Sequence, residues 1–435
     1  MTQRAYNLAT LAILIALISA CGEDRTYEYE EATATTHWMM EAMQQYYLWG
    51  DSLEELDWDD YFDDPEDFFD ALTDQAPIDD QWSYILIDTV DSDPRQKGTF
   101  DHLDSYGIDY VTMTDPTGST SRLYARLITI YPNSPAEQCG LERGQFIGLI
   151  DDTKNTSTVA AKLQSGQART LQVCQLGTDS TGTAYEWTQT DTITLEASTY
   201  VEDLAFPTFT IINTGAHQVA YLLCSRLTPG PTELDPEDTS YLTTLQTLME
   251  QAREAQPDAF VLDLRRCNDG SLSMAQRLAT YLLPNATSTT PFARLQHRTE
   301  RADDDETLLF TPSDQQPITS LTSLHIITSA LTQGPAEWLI RAIDAAQTDT
   351  TYLTTYGMTT AGECVHTEAY PSAYSVTLHP ATAYVATICA DGSYDHDYDS
   401  GIEPDIEIDE QEYVQLLPYG DPQEIILQTI LANLP

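Results

Sequence analysis

The chain has 435 residues, with 19 Lys and Arg against 69 Asp and Glu, for a formal charge of −50. That charge repels phosphate along the whole length and excludes a nucleic-acid partner, since such binding rests on Lys and Arg neutralising phosphates. Hydrophobic residues at 41% and aromatics at 9% exclude disorder by composition, and the length allows two or three domains. Lysine occurs only at Lys97, Lys154 and Lys162. A carboxylate-rich, lysine-poor surface fits a saline or acid-tolerant habitat and plain compositional drift equally well.

Residues 1–20 read as an export signal. Arg4 precedes the apolar run Leu8–Leu17, which is too short for a membrane span. The ending Ile18-Ser19-Ala20-Cys21 resembles a bacterial lipoprotein signal, which implies a lipidated Cys21 and a lipid anchor as the only membrane contact. A plain signal peptide with an incidental cysteine is the alternative. Residues 21–34 read as an acidic tether, and the mature chain is expected in the cell envelope, on the periplasmic side or the cell surface. Six further cysteines, Cys139, Cys174, Cys224, Cys267, Cys364 and Cys389, fit either disulfides or buried free thiols. They lack zinc-type spacing.

Residues 35–98 read as a helical domain, with apolar groups at helical spacing from His37 to Trp49. A second helix begins at Asp64-Pro65-Glu66-Asp67, with Asp64 as N-cap, and Phe68, Phe69 and Leu72 form its apolar face. Residues 99–200 read as β-rich, with strand alternation at Arg126–Ile130. There, a short helix started by Ser134-Pro135 and stopped by Gly140, then the apolar strand Phe146–Ile150, resemble a PDZ domain. The resemblance implies that an extended peptide joins an open sheet edge, with Tyr106, Gly107, Ile108 and Asp109 as the carboxylate-binding loop. A domain of that shape that only packs is the alternative. Residues 201–435 alternate strand and helix: Val219–Cys224, Ser240–Ala255, Phe260–Arg265, Ser273–Leu283 and His325–Ser329. This pattern predicts βαβ units with ligand sites at the carboxyl ends of the strands.

Asp263-Leu264-Arg265 before a Gly-bearing turn, the strand before Ser329, Tyr356-Gly357 and Gly401–Ile406 resemble the C-terminal processing (tail-specific) serine peptidases. The likeness is strongest to the Bacteroidetes lipoprotein branch. Trp38–Trp49, Asp64–Phe69 and Trp82–Ile85 fit that branch's N-terminal helical segment, and Gly420–Glu424 its final helix. The implied fold is α/β and multidomain: a helical segment, a PDZ-like β domain and an α/β peptidase-like core.

The resemblance also implies a Ser–Lys dyad, and this chain departs from it. Where the family reads Thr-Ala-Ser-Ala-Ser-Glu, this chain reads Thr332-Gln333-Gly334-Pro335-Ala336-Glu337, so neither serine position (Gly334, Ala336) carries an oxygen. The lysine position is Met358, which accepts no proton, and no lysine follows Lys162. The oxyanion loop reads Cys267-Asn268-Asp269-Gly270, with a carboxylate where the developing negative charge needs donors. Ser329 and Thr332 with His325 or His366 offer a substitute dyad, against which stand structural roles at a strand end and a helix start. Asp395-x-Asp397-x-Asp399 opens like an EF-hand, but its glycine and twelfth residue are misplaced, and Asp391 with these reads as a solvated acidic loop. No metal or cofactor is expected. The expected function is an inactive homologue that binds peptides or protein C-termini. The alternative is an active serine-type peptidase or hydrolase using a substitute base.

Overall fold

The computed structural model describes residues 26–61, 64–77, 80–87, 105–118, 120–154, 159–178, 184–232, 237–312, 314–389, 391–413 and 415–434. It divides into a unit of residues 1–89 with 367–382 and a unit of residues 90–366 with 383–435. The export signal and Cys21 lie outside the described residues.

In the first unit, helix α1 (Thr26–Tyr46) begins inside the segment expected to be an acidic tether. Met39, Met40 and Met43 bury its inner face. Helix α2 (Pro65–Thr73) starts as its sequence requires: Asp67 N–H donates to Asp64 Oδ1 at 3.1 Å, and Pro65 takes the first helical position. Its Phe68, Phe69 and Leu72 are buried. Strand β1 (Tyr84–Ile87) pairs antiparallel with Val376–His379, which pairs with Tyr370–Pro371. That pairing draws residues 367–382 into this unit, far from their place in the chain.

The second unit opens with an antiparallel sheet of β2 (Ile108–Thr114), β3 (Leu123–Ile130), β4 (Phe146–Ile150), β5 (Arg169–Thr178) and β6 (Tyr185–Leu195), in that order. Helix α3 (Pro135–Gln138) follows β3, and Glu137 N–H donates to the Ser134 cap at 3.1 Å. Helix α4 is Val159–Leu163. Tyr106, Leu127, Ala136, Leu141, Ile147 and Leu171 fill the core between them.

A six-stranded sheet follows. Its strands are β7 (Thr208–Asn213), β8 (Gln218–Leu223), β9 (Ala259–Asp263), β10 (Ser323–Thr328), β11 (Leu353–Gly357) and β12 (Ile406–Glu407). Neighbours run in numerical order, parallel from β8 to β12, with β7 antiparallel on the edge. Every residue of β9 and β10 is buried, as expected of central parallel strands covered on both faces. Helices α5 (Ser240–Ala255), α6 (Leu272–Leu282), α7 (Pro335–Ala346) and α8 (Ile425–Ala432) belong to this layer.

A buried charge cluster joins the sheet to the β-rich part. Arg265 donates from Nη2 to Asp263 Oδ2 at 2.6 Å, from Nη1 to Glu424 Oε1 at 2.9 Å, and from Nη1 to Glu410. Glu410 also takes Arg143 Nη2 at 2.7 Å, and Arg143 donates to Ile128 O and Leu417 O. Glu424 caps α8 through Ile426 and Leu427 N–H, and Tyr221 OH donates to Asp263 at 2.7 Å. Burial alone would push the Glu410 carboxyl up, but Arg265 and Arg143 outweigh it and hold it below the ordinary carboxylate range. Arg265→Met should therefore cost about 3–5 kcal/mol of stability, because three carboxylates lose their shared cation. Urea unfolding checks this, and a loss below about 1 kcal/mol would mean the cluster does not hold the fold together.

Candidate functional site

Three turns meet at the carboxyl ends of β9, β10 and β11. The first, Leu264–Gly270, is fixed by Leu264 N–H to Ile327 O (2.8 Å) and Cys267 N–H to Leu264 O (2.9 Å). Asp269 accepts from Leu227 N–H through its backbone and from Arg226 Nη2 at 3.2 Å through its side chain. The Arg226 side chain is 2% exposed, so the carboxylate expected to oppose an oxyanion is paired with a buried cation. Gly270 is required by packing: a Cβ there would lie 2.6 Å from Leu227 Cβ.

The second turn, residues 329–334, is bolted to the first. Ser329 Oγ donates to Arg265 O at 2.7 Å, Thr332 Oγ1 to Leu264 O at 2.9 Å, and Gln333 N–H to Cys267 O at 2.9 Å. Both hydroxyls proposed for a substitute dyad thus serve backbone carbonyls. Gly334 ends the turn at φ +53 and ψ −113, a conformation that only glycine adopts without strain. Pro335 then opens α7.

The third turn follows β11. Met358 is tied to the end of β10, its N–H donating to Thr328 O (3.1 Å) and its carbonyl accepting from Thr328 Oγ1 (2.7 Å). Ala361 N–H donates to Thr332 O at 2.9 Å. Glu337, in the first turn of α7, is fully buried and gathers the neighbouring segments. It accepts from Gly334 N–H (3.0 Å), Gly362 N–H (2.7 Å), Glu363 N–H (2.8 Å) and the Thr360 hydroxyl. Burial pushes its carboxyl up, and these donors pull back without fully offsetting it.

The structure therefore brings together Gly334, Ala336, Met358 and the 267–270 loop, as their places at the strand ends require. It also adds Glu363, which the sequence did not single out. A Cβ at residue 334 would lie 2.5 Å from Glu363 Oε2 and 2.9 Å from its Cδ. The space a serine side chain needs is filled by a carboxylate. His325 points its Nε2 at Ser323 Oγ (3.2 Å), back along β10, and His366 meets the edge of Trp338 at 5.9 Å between ring centroids.

In the β-rich part, the Tyr106–Asp109 loop is tightly held. Gly107 has φ +75, and a Cβ there would meet Ser134 Cβ at 2.1 Å. Its N–H donates to Ser105 Oγ at 2.8 Å and its carbonyl accepts from Tyr131 N–H at 3.0 Å. Asp109 takes Tyr131 OH at 2.9 Å and Arg266 Nη2 at 3.3 Å, so Arg266 links this loop to the turn after β9. In the acidic loop, Asp391 accepts from Ser393 and Asp395 pairs with Arg341 at 2.5 Å. Among the described residues, no group of three or more His, Cys, Asp or Glu side chains is placed to hold a metal ion. No described helix is long and apolar enough to cross a membrane.

Residues 34–84 match the model of the peptidase S41 N-terminal domain. A structure from Bacteroides fragilis assigned to the S41 proteases is 26% identical, with a TM-score of 0.78 over 91% of this chain and 96% of that one. The chain thus carries the N-terminal domain and the architecture of the S41 peptidases. A looser likeness, 17% identical with a TM-score of 0.48 over 91% of this chain and 96% of the other, is to the photosystem II D1 C-terminal processing protease. No curated protein matches the chain. The S41 N-terminal match falls on α1, α2 and β1, and the mixed α/β multidomain architecture is that of the S41 structure from B. fragilis.

Two outcomes follow for this site. Gly334→Ser should cost about 1–3 kcal/mol, chiefly from backbone strain at φ +53, with the Glu363 carboxylate having to swing aside. Adding Glu363→Ala should recover part of it, measured as a double-mutant cycle in chemical unfolding. Separately, burial lowers the His325 pKa from 6.5 to about 4. The unfolded chain then binds more protons across that window, so this contribution to stability is present above about pH 6.5 and lost as pH falls to 4. His325→Leu should flatten that limb of the stability profile by about 3 kcal/mol.

Proposed function

We propose that this S41 protein is an exported, lipid-anchored peptide-binding protein without peptidase activity. The observation that carries the reading is the Glu363 carboxylate packed where a side chain on residue 334 would stand. Around it the family's chemistry has no atoms to work with. Gly334 and Ala336 offer no hydroxyl, Met358 offers no amine, and the nearby Ser329 and Thr332 hydroxyls are committed to carbonyls. Acyl transfer needs an activated nucleophile and a proton acceptor within hydrogen-bond reach of each other. The serine and lysine that fill these roles in the family are missing from these turns. The fold they served is intact, including the capped start of α7.

Peptide capture falls to the 99–200 region, read as PDZ-like. Strand β2 is at the end of its sheet, so an extended peptide has an edge to join, beginning beside Tyr106, Gly107, Ile108 and Asp109. The ligand class is a peptide or protein C-terminal segment, whose carboxylate would compete with Asp109 for Arg266. Nucleic acid is excluded by charge. Cys21 supplies the anchor, and the placement is the envelope, on its periplasmic side or at the surface.

A fluorophosphonate probe on the purified mature chain tests the inactive reading. No serine should be labelled under conditions that label an active S41 peptidase, and stoichiometric labelling of any serine would establish the substitute-base hydrolase instead. For capture, fluorescence anisotropy should show a free-carboxylate peptide binding at least about tenfold more tightly than its C-terminally amidated form, the scale of one lost charged contact. Equal affinities would remove the carboxylate-loop role.

A further inference from the structure

We infer that Cys224 and Cys267 are the two halves of a disulfide that clasps the turn after β9 to the end of β8. Their sulfurs lie 3.9 Å apart, and both residues are completely buried. The backbone already sets the ends side by side. Parallel pairing aligns Leu223 with Asp263, Cys224 N–H donates to Asp263 O at 2.9 Å, and Cys267 N–H donates to Leu264 O at 2.9 Å. Both are free thiols in this structure, and a disulfide bond is about 2.05 Å long, so closure brings the sulfurs together by a little under 2 Å. Two other thiols have different neighbours: Cys174 Sγ lies by Thr190 Oγ1 at 3.8 Å, and Cys139 Sγ by Ala136 O at 3.2 Å.

The chemistry is thiol–disulfide exchange with a protein disulfide oxidase or an oxidised low-molecular-weight thiol. One thiol loses its proton and attacks the acceptor's disulfide, forming a mixed disulfide and releasing one acceptor thiol. The second, deprotonated in turn, displaces the other acceptor thiol. Two protons and two electrons leave the pair, and the acceptor's disulfide becomes two thiols. Burial pushes the Cys267 thiol well up, which starves the folded site of thiolate. Exchange therefore takes place while the chain folds, before the turn closes over the sulfurs.

The clasp bears on the cleft because Cys267 O receives Gln333 N–H, and the adjacent Arg266 reaches Asp109 and Tyr131. Locking Cys267 locks both contacts. The inference stands whether or not the cleft is catalytic.

The test is to refold the mature chain in a glutathione redox buffer and, in parallel, under reductant, then alkylate in denaturant and map peptides without reduction. The oxidised sample should contain a linked peptide pair joining residues 224 and 267, with two fewer alkylated thiols. Its melting temperature should exceed that of the reduced sample by at least about 3 °C, given the 43-residue separation that the bond closes. In Cys224→Ala/Cys267→Ala this difference should vanish. Full alkylation of both cysteines in the oxidised sample, or a linkage of either to another cysteine, would overturn the inference. A 224–267 linkage that leaves the melting temperature within about 1 °C would overturn the clasp.

Discussion

The Arg265 guanidinium is the point on which the second unit turns. It lies on the turn after a central strand and meets Asp263 at that strand's end, Glu424 at the start of α8, and Glu410 on the segment that runs to the β-rich part. Taking these charges out of water is costly, and their mutual attraction repays that only when every partner is in place. The cluster therefore selects one arrangement of strand, helix and connecting segment. Arg143 extends it, carrying the Glu410 carboxylate over to the strands of the antiparallel sheet. Tyr419 lies beneath both guanidiniums, with ring centroids 4.1 and 5.0 Å from their carbons.

The same logic governs the three turns above it. In a Ser–Lys peptidase such turns hold a nucleophile and base ready for a developing charge, which requires polar groups kept free of other partners. Here the polar groups are occupied. Ser329 and Thr332 hold the backbone of the first turn, and Glu337 gathers donors from α7 and the third turn. Asp269 is answered by Arg226, and Asp109 by Arg266. The result is a well-satisfied polar seam, suited to holding a shape.

Much of this was legible in the chain. The cap at Asp64 and the Ser134-Pro135 start follow from local rules, because the deciding hydrogen bond forms within one turn, and helix 240–255 follows from the apolar spacing of Tyr241, Leu245, Met249 and Ala252. The buried runs of β9 and β10 announced a parallel sheet and hence turns worth inspecting. Helix α1 starts at Thr26, inside the segment that reads as a tether. Residues 367–382 gave no sign that they pair with β1, for an antiparallel partner some 290 positions away leaves no local trace. Glu363 was equally silent. Nothing near it in sequence indicates that its carboxylate faces residue 334.

The sequence by itself determined that positions 334, 336 and 358 carry neither hydroxyl nor amine, because glycine, alanine and methionine lack those atoms in any conformation. It also determined the kind of fold, through the period and length of its apolar runs. Tertiary structure alone decided that the Glu363 carboxylate stands beside residue 334 and which charges answer each other. Those choices depend on distances between segments far apart along the chain, and a linear order of residues does not encode them one at a time.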